Sequence, residues 1–188
     1  MNQAEDGSFH TEWNLCSPFP IMHVLQATAT CGHFCPADVI SVRRRCVDYL
    51  LRHRRPDGGW AIHPDDHSTH SLSTAYAIGA LAMIGYPLAA HELHRSAELV
   101  LASQRDDGTF EAPADSIGPR PFIVDVPALA TVYSLWALSR VRDALTATPH
   151  RSDRSESPAN AFGPLDRVDG RRLAQRSSAR PPQRGRPE

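Results

Sequence analysis

The sequence predicts an all-α protein made of helical hairpin repeats, and three observations support that fold class. An Asp-Gly turn followed by an aromatic residue occurs three times, at spacings of 51 and 50 residues. Apolar residues recur at steps of three or four on both sides of each turn, as in α-helices. Amphipathic helices alternate with more uniformly apolar ones, which is typical of helix pairs stacked in an outer and an inner layer.

The three turns align without gaps, and their residue types explain the local structure. Glycine accepts a positive φ, an Asp carboxylate bonds to the backbone two residues on, and a Gln amide satisfies groups of a neighbouring helix. The second turn departs from the pattern, with Arg54 in place of Gln. We predict a structural role for the whole motif, which comprises Gln3, Asp6, Gly7, Phe9, Asp57, Gly58, Trp60, Gln104, Asp107, Gly108 and Phe110.

About five helices are expected around these turns, with boundaries set by Pro, Gly and hydroxyl residues. The helix before the third turn carries its apolar residues at Leu93, Ala97, Val100 and Leu101. The expected starts of the other helices are Ser17-Pro18, Pro36, Thr69 or Ser71, and Asp125 with Pro127, while Pro56 and Gly85 mark two expected ends.

Composition divides the chain into repeats at residues 1–145 and a tail at 146–188. The tail is rich in Arg, Pro and Ser and poor in large apolar residues, so we predict that it is disordered. Its arginines outnumber its acids, whereas acids outnumber arginines in the repeats. The tail has neither interleaved aromatics nor a groove-reading motif, and therefore no nucleic-acid partner is predicted. The alternative to a selected ligand-binding arm is a tail whose sequence is under little selection.

No targeting or membrane segment is apparent in the sequence. The first residues are polar and acidic, and the longest apolar run, 75–90, contains Pro87 and is shorter than the roughly 20 residues of a spanning helix. A cytoplasmic location without a transmembrane segment is therefore expected. Reduced thiols are expected there, and the spacing around His33 matches no compact zinc site. The four cysteines, interpreted as buried or incidental, are Cys16, Cys31, Cys35 and Cys46.

Four short segments of the chain resemble the prenyltransferase and squalene-cyclase repeat family. Residues 6–9, Asp-Gly-Ser-Phe, and 12–19, Glu-Trp-Asn-Leu-Cys-Ser-Pro-Phe, are similar to the Asp-Gly-x-Trp and Lys-Trp-His-x-Ser-Pro-Tyr-Tyr segments of class II diterpene cyclases. Residues 54–60 and 73–77 are similar to the family's Gln-Arg-x-Asp-Gly-Gly-Trp and Glu-Thr-Ala-Tyr-Ala segments. The resemblance covers about residues 3 to 142. It is strongest to the C-terminal part of a bacterial copalyl diphosphate synthase, and it implies a partial α/α toroid truncated at its N-terminus.

The resemblance implies an isomerase of terpenoid biosynthesis that cyclises a prenyl diphosphate after protonating an alkene. The family's Asp-x-Asp-Asp acid motif does not occur here, so no catalytic residue is assigned and the chain is expected to be inactive by itself. Magnesium is expected only for a complete cyclase. The nearest acidic segment, residues 63–67, is interpreted as a solvated loop rather than as an acid or metal site. Candidate pocket residues, with core packing as the alternative role, are Trp13, Phe19, Tyr76 and Trp136.

Three functional alternatives remain open at this point. A partial toroid would expose an apolar inner face, so the partner could be the missing N-terminal cyclase portion or a second copy of the chain. A noncatalytic helical remnant or subunit would pair with another chain through the same apolar face. A prenyltransferase β subunit would bind zinc through Asp, Cys and His, but only His70 and Asp125 lie near the expected place, and neither inner helix after Trp60 or Phe110 supplies a Cys.

Overall fold

The computed structural model describes residues 3–29, 36–118 and 122–147, and within them the chain is mostly helical. The prediction of an all-α fold is confirmed, with one small addition. A two-stranded antiparallel sheet lies between the last two helices, where the sequence suggested no strand; two residues per strand are too few to show an alternating pattern. The elements are α1 (Pro18–Ala29), α2 (Ala37–Arg52), α3 (Ser71–Met83), α4 (Ala90–Leu101), β1 (Ser116–Ile117), β2 (Ile123–Val124) and α5 (Pro127–Thr146).

The helices form the two layers that the alternation predicted. Helix α3 packs between α1 and α5, while α2 packs against α1, and α4 against α3 and α5. Residues 72–82 of α3 are all buried, which explains the uniformly apolar sequence of this helix. Close approach of α3 and α5 requires Gly79, because a Cβ there would overlap the indole ring of Trp136. The inner layer is therefore α1, α3 and α5.

All three Asp-Gly turns have the same internal geometry. The glycines at their second positions have φ values of +94°, +94° and +86°. Each Asp accepts a hydrogen bond from the backbone N–H two residues on, at 2.9, 3.0 and 2.9 Å. Gln3, Arg54 and Gln104 each donate to the carbonyl of the glycine four residues later, at 3.0, 3.4 and 3.2 Å. Arg54 thus makes the same turn contact as the Gln that it replaces.

The start of α3 differs from the prediction. The cap is His70, whose Nδ1 accepts a hydrogen bond from the backbone N–H of Ser73 at 3.1 Å. The hydroxyl of Thr69 bonds instead to the carboxylate of Asp57, and that of Ser71 donates to a carbonyl of the following repeat at 3.1 Å. An imidazole nitrogen can accept like a hydroxyl or carboxylate, but His is not among the residues usually preferred at this position.

The other helix boundaries agree with those predicted from the sequence, whereas one predicted core residue is not buried. Helix α2 follows Pro36, and α5 begins at Pro127. Leu101, expected to be a core residue, is the last residue of α4 and is 47% exposed. The predicted tail lies outside the described residues from 148 onward, as do Cys31, His33 and Cys35.

Among the described residues, no helix is both long enough and apolar enough to cross a membrane. The cytoplasmic location stays a prediction.

Candidate functional site

Four aromatic rings from the three inner helices form a continuous group, here called the aromatic array: Phe19, Tyr76, Tyr133 and Trp136. The ring centroids of Tyr76 lie 5.1 Å from Phe19 and 5.0 Å from Tyr133, and those of Tyr133 and Trp136 lie 6.5 Å apart. The interplanar angles of these pairs are 68°, 75° and 84°, which is the favourable edge-to-face arrangement. Tyr76 is buried and the other three rings are half-buried, so part of the array is accessible to solvent.

The helical spacing of the sequence explains how the array forms. Tyr133 and Trp136 are three residues apart and therefore lie on one face of α5. Tyr76 and Gly79 are likewise three residues apart and lie on one face of α3. Because Gly79 has no Cβ, the Trp136 ring can pack against this face. Phe19, in the first turn of α1, completes the array from the other side of α3.

Behind Tyr76 lies a buried polar group, here called the Asp115 cluster: Asn14, Cys16, His70, Tyr76 and Asp115. Asp115 is only 4% exposed. Its Oδ2 accepts hydrogen bonds from Asn14 Nδ2 at 2.9 Å and from the Tyr76 hydroxyl at 3.0 Å, and the Cys16 thiol donates to it at 3.6 Å. A neighbouring serine hydroxyl donates to its Oδ1 at 3.1 Å. All four contacts use the Asp115 side chain as an acceptor, which suits a carboxylate.

Cys16 and His70 do not form an activated nucleophile. Cys16 Sγ lies 3.6 Å from His70 Nδ1, but that nitrogen already accepts from the Ser73 N–H. Burial raises the pKa of the Cys16 thiol far above its usual range, and burial lowers the pKa of His70. A protonated thiol beside a neutral imidazole lacks the thiolate that nucleophilic catalysis needs.

The Tyr76 phenol is held as a hydrogen-bond donor. Burial raises its pKa, and the nearby charge of Asp115 raises it further, so the hydroxyl keeps its proton at any ordinary pH. Burial also raises the pKa of Tyr133, with Asp115 as a second cause. The charge of Asp115 thus contributes, after burial, to the raised pKa of two hydroxyl groups of the aromatic array.

The structure brings together three of the four predicted pocket residues. Phe19 and Tyr76 are in direct ring contact, and Trp136 joins them through Tyr133. Trp13 lies outside the array and is 67% exposed, because its backbone pairs with β1 at the surface: its carbonyl accepts from the Ile117 N–H at 2.9 Å. A pocket role for these side chains stays a prediction.

Two residues of the site were missed from the sequence. Tyr133 carried a usable signal, because it lies one helical turn before Trp136 on the same face of α5. Asp115 carried none. It follows the third turn in an irregular segment, and its contact with Asn14 joins residues 101 positions apart. Only the stacking of the repeats brings these two side chains together.

The acidic segment at residues 63–67 is a surface turn. Asp66 Oδ2 accepts a hydrogen bond from the His63 N–H at 2.8 Å, closing the turn on itself. His63, Asp65 and His67 are exposed. In the part of the chain that the structure describes, no group of three or more His, Cys, Asp or Glu side chains is arranged to hold a metal ion.

Stacked helical hairpins with Asp-Gly turns and an aromatic inner face define a segment of an α/α toroid of the terpene cyclase class. Comparison with known proteins agrees with this class. The family model for the squalene-hopene cyclase N-terminal domain matches residues 2–109, and the chain belongs to this cyclase family. Drimenyl diphosphate synthase of Streptantibioticus cattleyicolor is 34% identical over 139 residues, which cover 71% of this chain and 25% of that enzyme. The Streptomyces showdoensis drimenyl diphosphate synthase is 33% identical over 153 residues, covering 79% of this chain and 27% of the relative.

A solved structure shares the fold. The ent-copalyl diphosphate synthase from Streptomyces platensis superposes with a TM-score of 0.55 at 19% identity, over 74% of this chain and 25% of that chain. The chain thus spans about a quarter of the length of these three relatives. The likeness to bacterial class II cyclases is confirmed. The more specific assignment to the C-terminal part stays a prediction, and the matched family model, which describes an N-terminal domain, does not support it.

Proposed function

We propose that this chain forms one wall of the substrate pocket in a class II terpene cyclase, which cyclises a prenyl diphosphate after protonation. The observation that carries the proposal is the aromatic array on the inner layer. Ring faces attract a cation, and the apolar inner helices keep water away from it. Within such an enzyme the chain shapes the pocket and orients the prenyl chain along the rings.

The proton donor and the diphosphate site belong, in this proposal, to the rest of the enzyme. Asp115 is buried and accepts from four donors, while the turn at residues 63–67 lies at the surface. A general acid must instead carry a proton and reach the reacting carbon. Magnesium, where needed, would be held through the substrate diphosphate by residues outside this chain's described part. We therefore expect the purified chain to form no product from geranylgeranyl diphosphate with magnesium.

A chimera tests the pocket role directly. Residues 3–147 replace the segment of the Streptantibioticus cattleyicolor enzyme to which this chain is 34% identical. We expect a folded chimera that still forms drimenyl diphosphate. A chimera that is soluble and folded by circular dichroism but forms no product would count against the proposal, as would product formation by the purified chain.

Variants of the chimera separate the array from general packing. Tyr133→Leu removes a ring while keeping an apolar side chain, and we expect kcat to fall by roughly tenfold or more with little change in KM, since a lost cation–π contact costs up to about 2 kcal/mol. Val132→Ala is the matched control, because Val132 is the adjacent residue on α5 and is 57% exposed. Equal losses in both variants would show that the ring has no particular role.

A noncatalytic subunit is the second candidate, and exposed apolar residues favour it. Phe122 and Ile123, which are adjacent in the chain, are 71% and 63% exposed, and contiguous exposed apolar side chains are typical of an interaction surface. Such a subunit would pair with another chain or with a second copy. Light scattering of the purified chain, alone and coexpressed with the polypeptide encoded next to it, distinguishes these cases: a soluble complex without cyclase activity supports the subunit.

A further inference from the structure

We propose that Asp115 is a positioning residue that orients Tyr76 and places a negative charge behind the aromatic array, so that the array prefers a cationic ligand to a neutral one of equal shape. This inference rests on the proposed pocket role and deepens it. It concerns a side chain that no recognised motif of the sequence includes.

The geometry connects the carboxylate to the rings in a single step. Tyr76 donates its hydroxyl proton to Asp115 at 3.0 Å, and the same ring contacts Phe19 at 5.1 Å and Tyr133 at 5.0 Å. A phenol that donates to a carboxylate is polarised toward higher electron density in its ring, since hydrogen-bonded groups polarise one another. Electron density on the ring face is what attracts a cation.

The charge of Asp115 is not balanced by a cation in the described part of the chain. Ion pairs there join Arg54 to Glu92, Arg105 to Glu111 and Arg142 to Asp143, all outside the Asp115 cluster. The donors to Asp115 are neutral amide, thiol and hydroxyl groups.

The adjacent His70 imidazole does not compensate either, because burial lowers its pKa and favours the neutral ring. A charge that has no ion-pair partner among the described residues, and that lies in a low-dielectric interior, acts over a longer distance than one at the surface. Tyr133 and Trp136 are half-buried, so both rings are partly accessible to a ligand.

A purely structural role for Asp115 makes a different prediction. The same hydrogen bonds tie the segment before α1, through Asn14 and Cys16, to α3 through Tyr76. If Asp115 only held these segments together, its replacement would lower stability without changing the preference between a charged and a neutral ligand. The ratio of two affinities therefore separates the two roles.

The test uses the full 188-residue chain with choline and 3,3-dimethylbutan-1-ol, which have the same shape and differ in charge. Binding is followed by NMR through the ring protons of Tyr133 and Trp136. We expect choline to bind roughly five- to tenfold more tightly than the alcohol, the range of a partly desolvated cation–π contact. In Asp115→Asn the ratio should fall toward one. Asp106→Asn is the control, because it removes one negative charge from an exposed turn, and it should keep the ratio.

Three results would overturn the inference: no binding of choline, equal affinities in the wild-type chain, or an unchanged ratio in a folded Asp115→Asn variant. If that variant does not fold, Tyr76→Phe decides, since it keeps the ring and breaks its link to Asp115; the ratio should fall by at least about half, and an unchanged ratio would refute the proposal. The pocket role is judged separately by product formation in the chimera. An active chimera with no charge preference in the isolated chain would refute only the role of Asp115.

Discussion

The first and third Asp-Gly turns share their internal hydrogen bonds but differ in their surroundings. Gln3 donates to Gly7 at 3.0 Å, and Gln104 donates to Gly108 at 3.2 Å. The first turn also rests on α2, where Arg45 Nε donates to Gln3 Oε1 at 2.7 Å. At the third turn, no described atom lies within 4 Å of the place where a Cβ on Gly108 would be. The shape of the turn is thus local, whereas its packing depends on the next repeat.

The second turn packs on α4 in the way that the first turn packs on α2, so this packing is a repeating feature. Arg54 donates to Glu92 of α4 at 2.5 Å, and Ser96 of α4 donates to the Gly58 carbonyl at 2.7 Å. Each of these two turns therefore contacts the outer helix of the following repeat. Among the described residues no outer helix follows the third turn, and its Gln104 amide bonds only within the turn.

The largest expected effect is that of Gly7→Ala. A Cβ at Gly7 would overlap the backbone carbonyl of Arg45, and φ is +94°, so strain and overpacking together should cost about 3 kcal/mol of unfolding free energy. Gly108→Ala is the matched change and should cost only about 1 kcal/mol, for the positive φ alone. Urea unfolding followed by circular dichroism measures both. Equal costs would mean that the third turn is covered in solution, for example by a second copy.

Removing the amide side chain should have a smaller effect of the same kind. Gln3→Ala loses hydrogen bonds to its own turn and to α2 and should cost about 1–2 kcal/mol of unfolding free energy. Gln104→Ala loses one exposed hydrogen bond and should cost about 0.5 kcal/mol. A cost for Gln104 as large as that for Gln3 would contradict the view that packing on the next repeat makes the difference.

Restoring the repeat pattern at the second turn should not stabilise the protein. Arg54→Gln keeps a donor for the Gly58 carbonyl but loses the ion pair with Glu92, whose side chain is 34% exposed, so we expect a loss of about 1 kcal/mol. The loss should shrink in high salt, since screening weakens the pair in the parent protein. A higher melting temperature of Arg54→Gln would contradict this expectation and show that Gln stabilises the turn better than Arg does.

The smallest effect concerns the acid titration of the turns. The backbone N–H of Ser8 lowers the pKa of Asp6, and the hydroxyl of Thr109 lowers that of Asp107, so both should titrate below the usual Asp range by carbon-13 NMR. A lowered folded pKa stabilises the protein above the unfolded Asp pKa, and this contribution is lost as the pH falls through the folded value. Thr109→Val should raise the pKa of Asp107 more than Ser8→Ala raises that of Asp6, because the main bond at Asp6 comes from the backbone. An ordinary pKa at Asp107 would mean that packing on α2, rather than the turn, lowers the pKa of Asp6.

Much of the fold could be predicted because its signals are local. The turn motif, the alternation of the helices and the prolines at their starts each depend on a few adjacent residues, and the structure follows them. The cap of α3 could not be predicted this way. Both Thr69 and Ser71 are good capping residues, but contacts with Asp57 and with the third repeat engage their hydroxyls, and His70 caps the helix.

The candidate site divides in the same manner. Phe19, Tyr76 and Trp136 were selected as aromatics on or beside inner helices, and the array contains them. The same criterion also selected Trp13, but this residue lies at the surface. The local sequence does not show that its backbone pairs with β1 or on which side of that strand its ring lies. Sequence spacing cannot reveal the distance between two side chains from different repeats.

By itself, the sequence determined the repeat, the turn, the two helical layers and the cyclase family, since each is encoded in short stretches of adjacent residues. The tertiary structure decided which rings meet, that Asp115 lies behind Tyr76, and that the first turn is packed while the third is open. Those properties arise from stacking one repeat on another, where the close approach of α3 and α5 at Gly79 and the contact of Asn14 with Asp115 join distant parts of the chain.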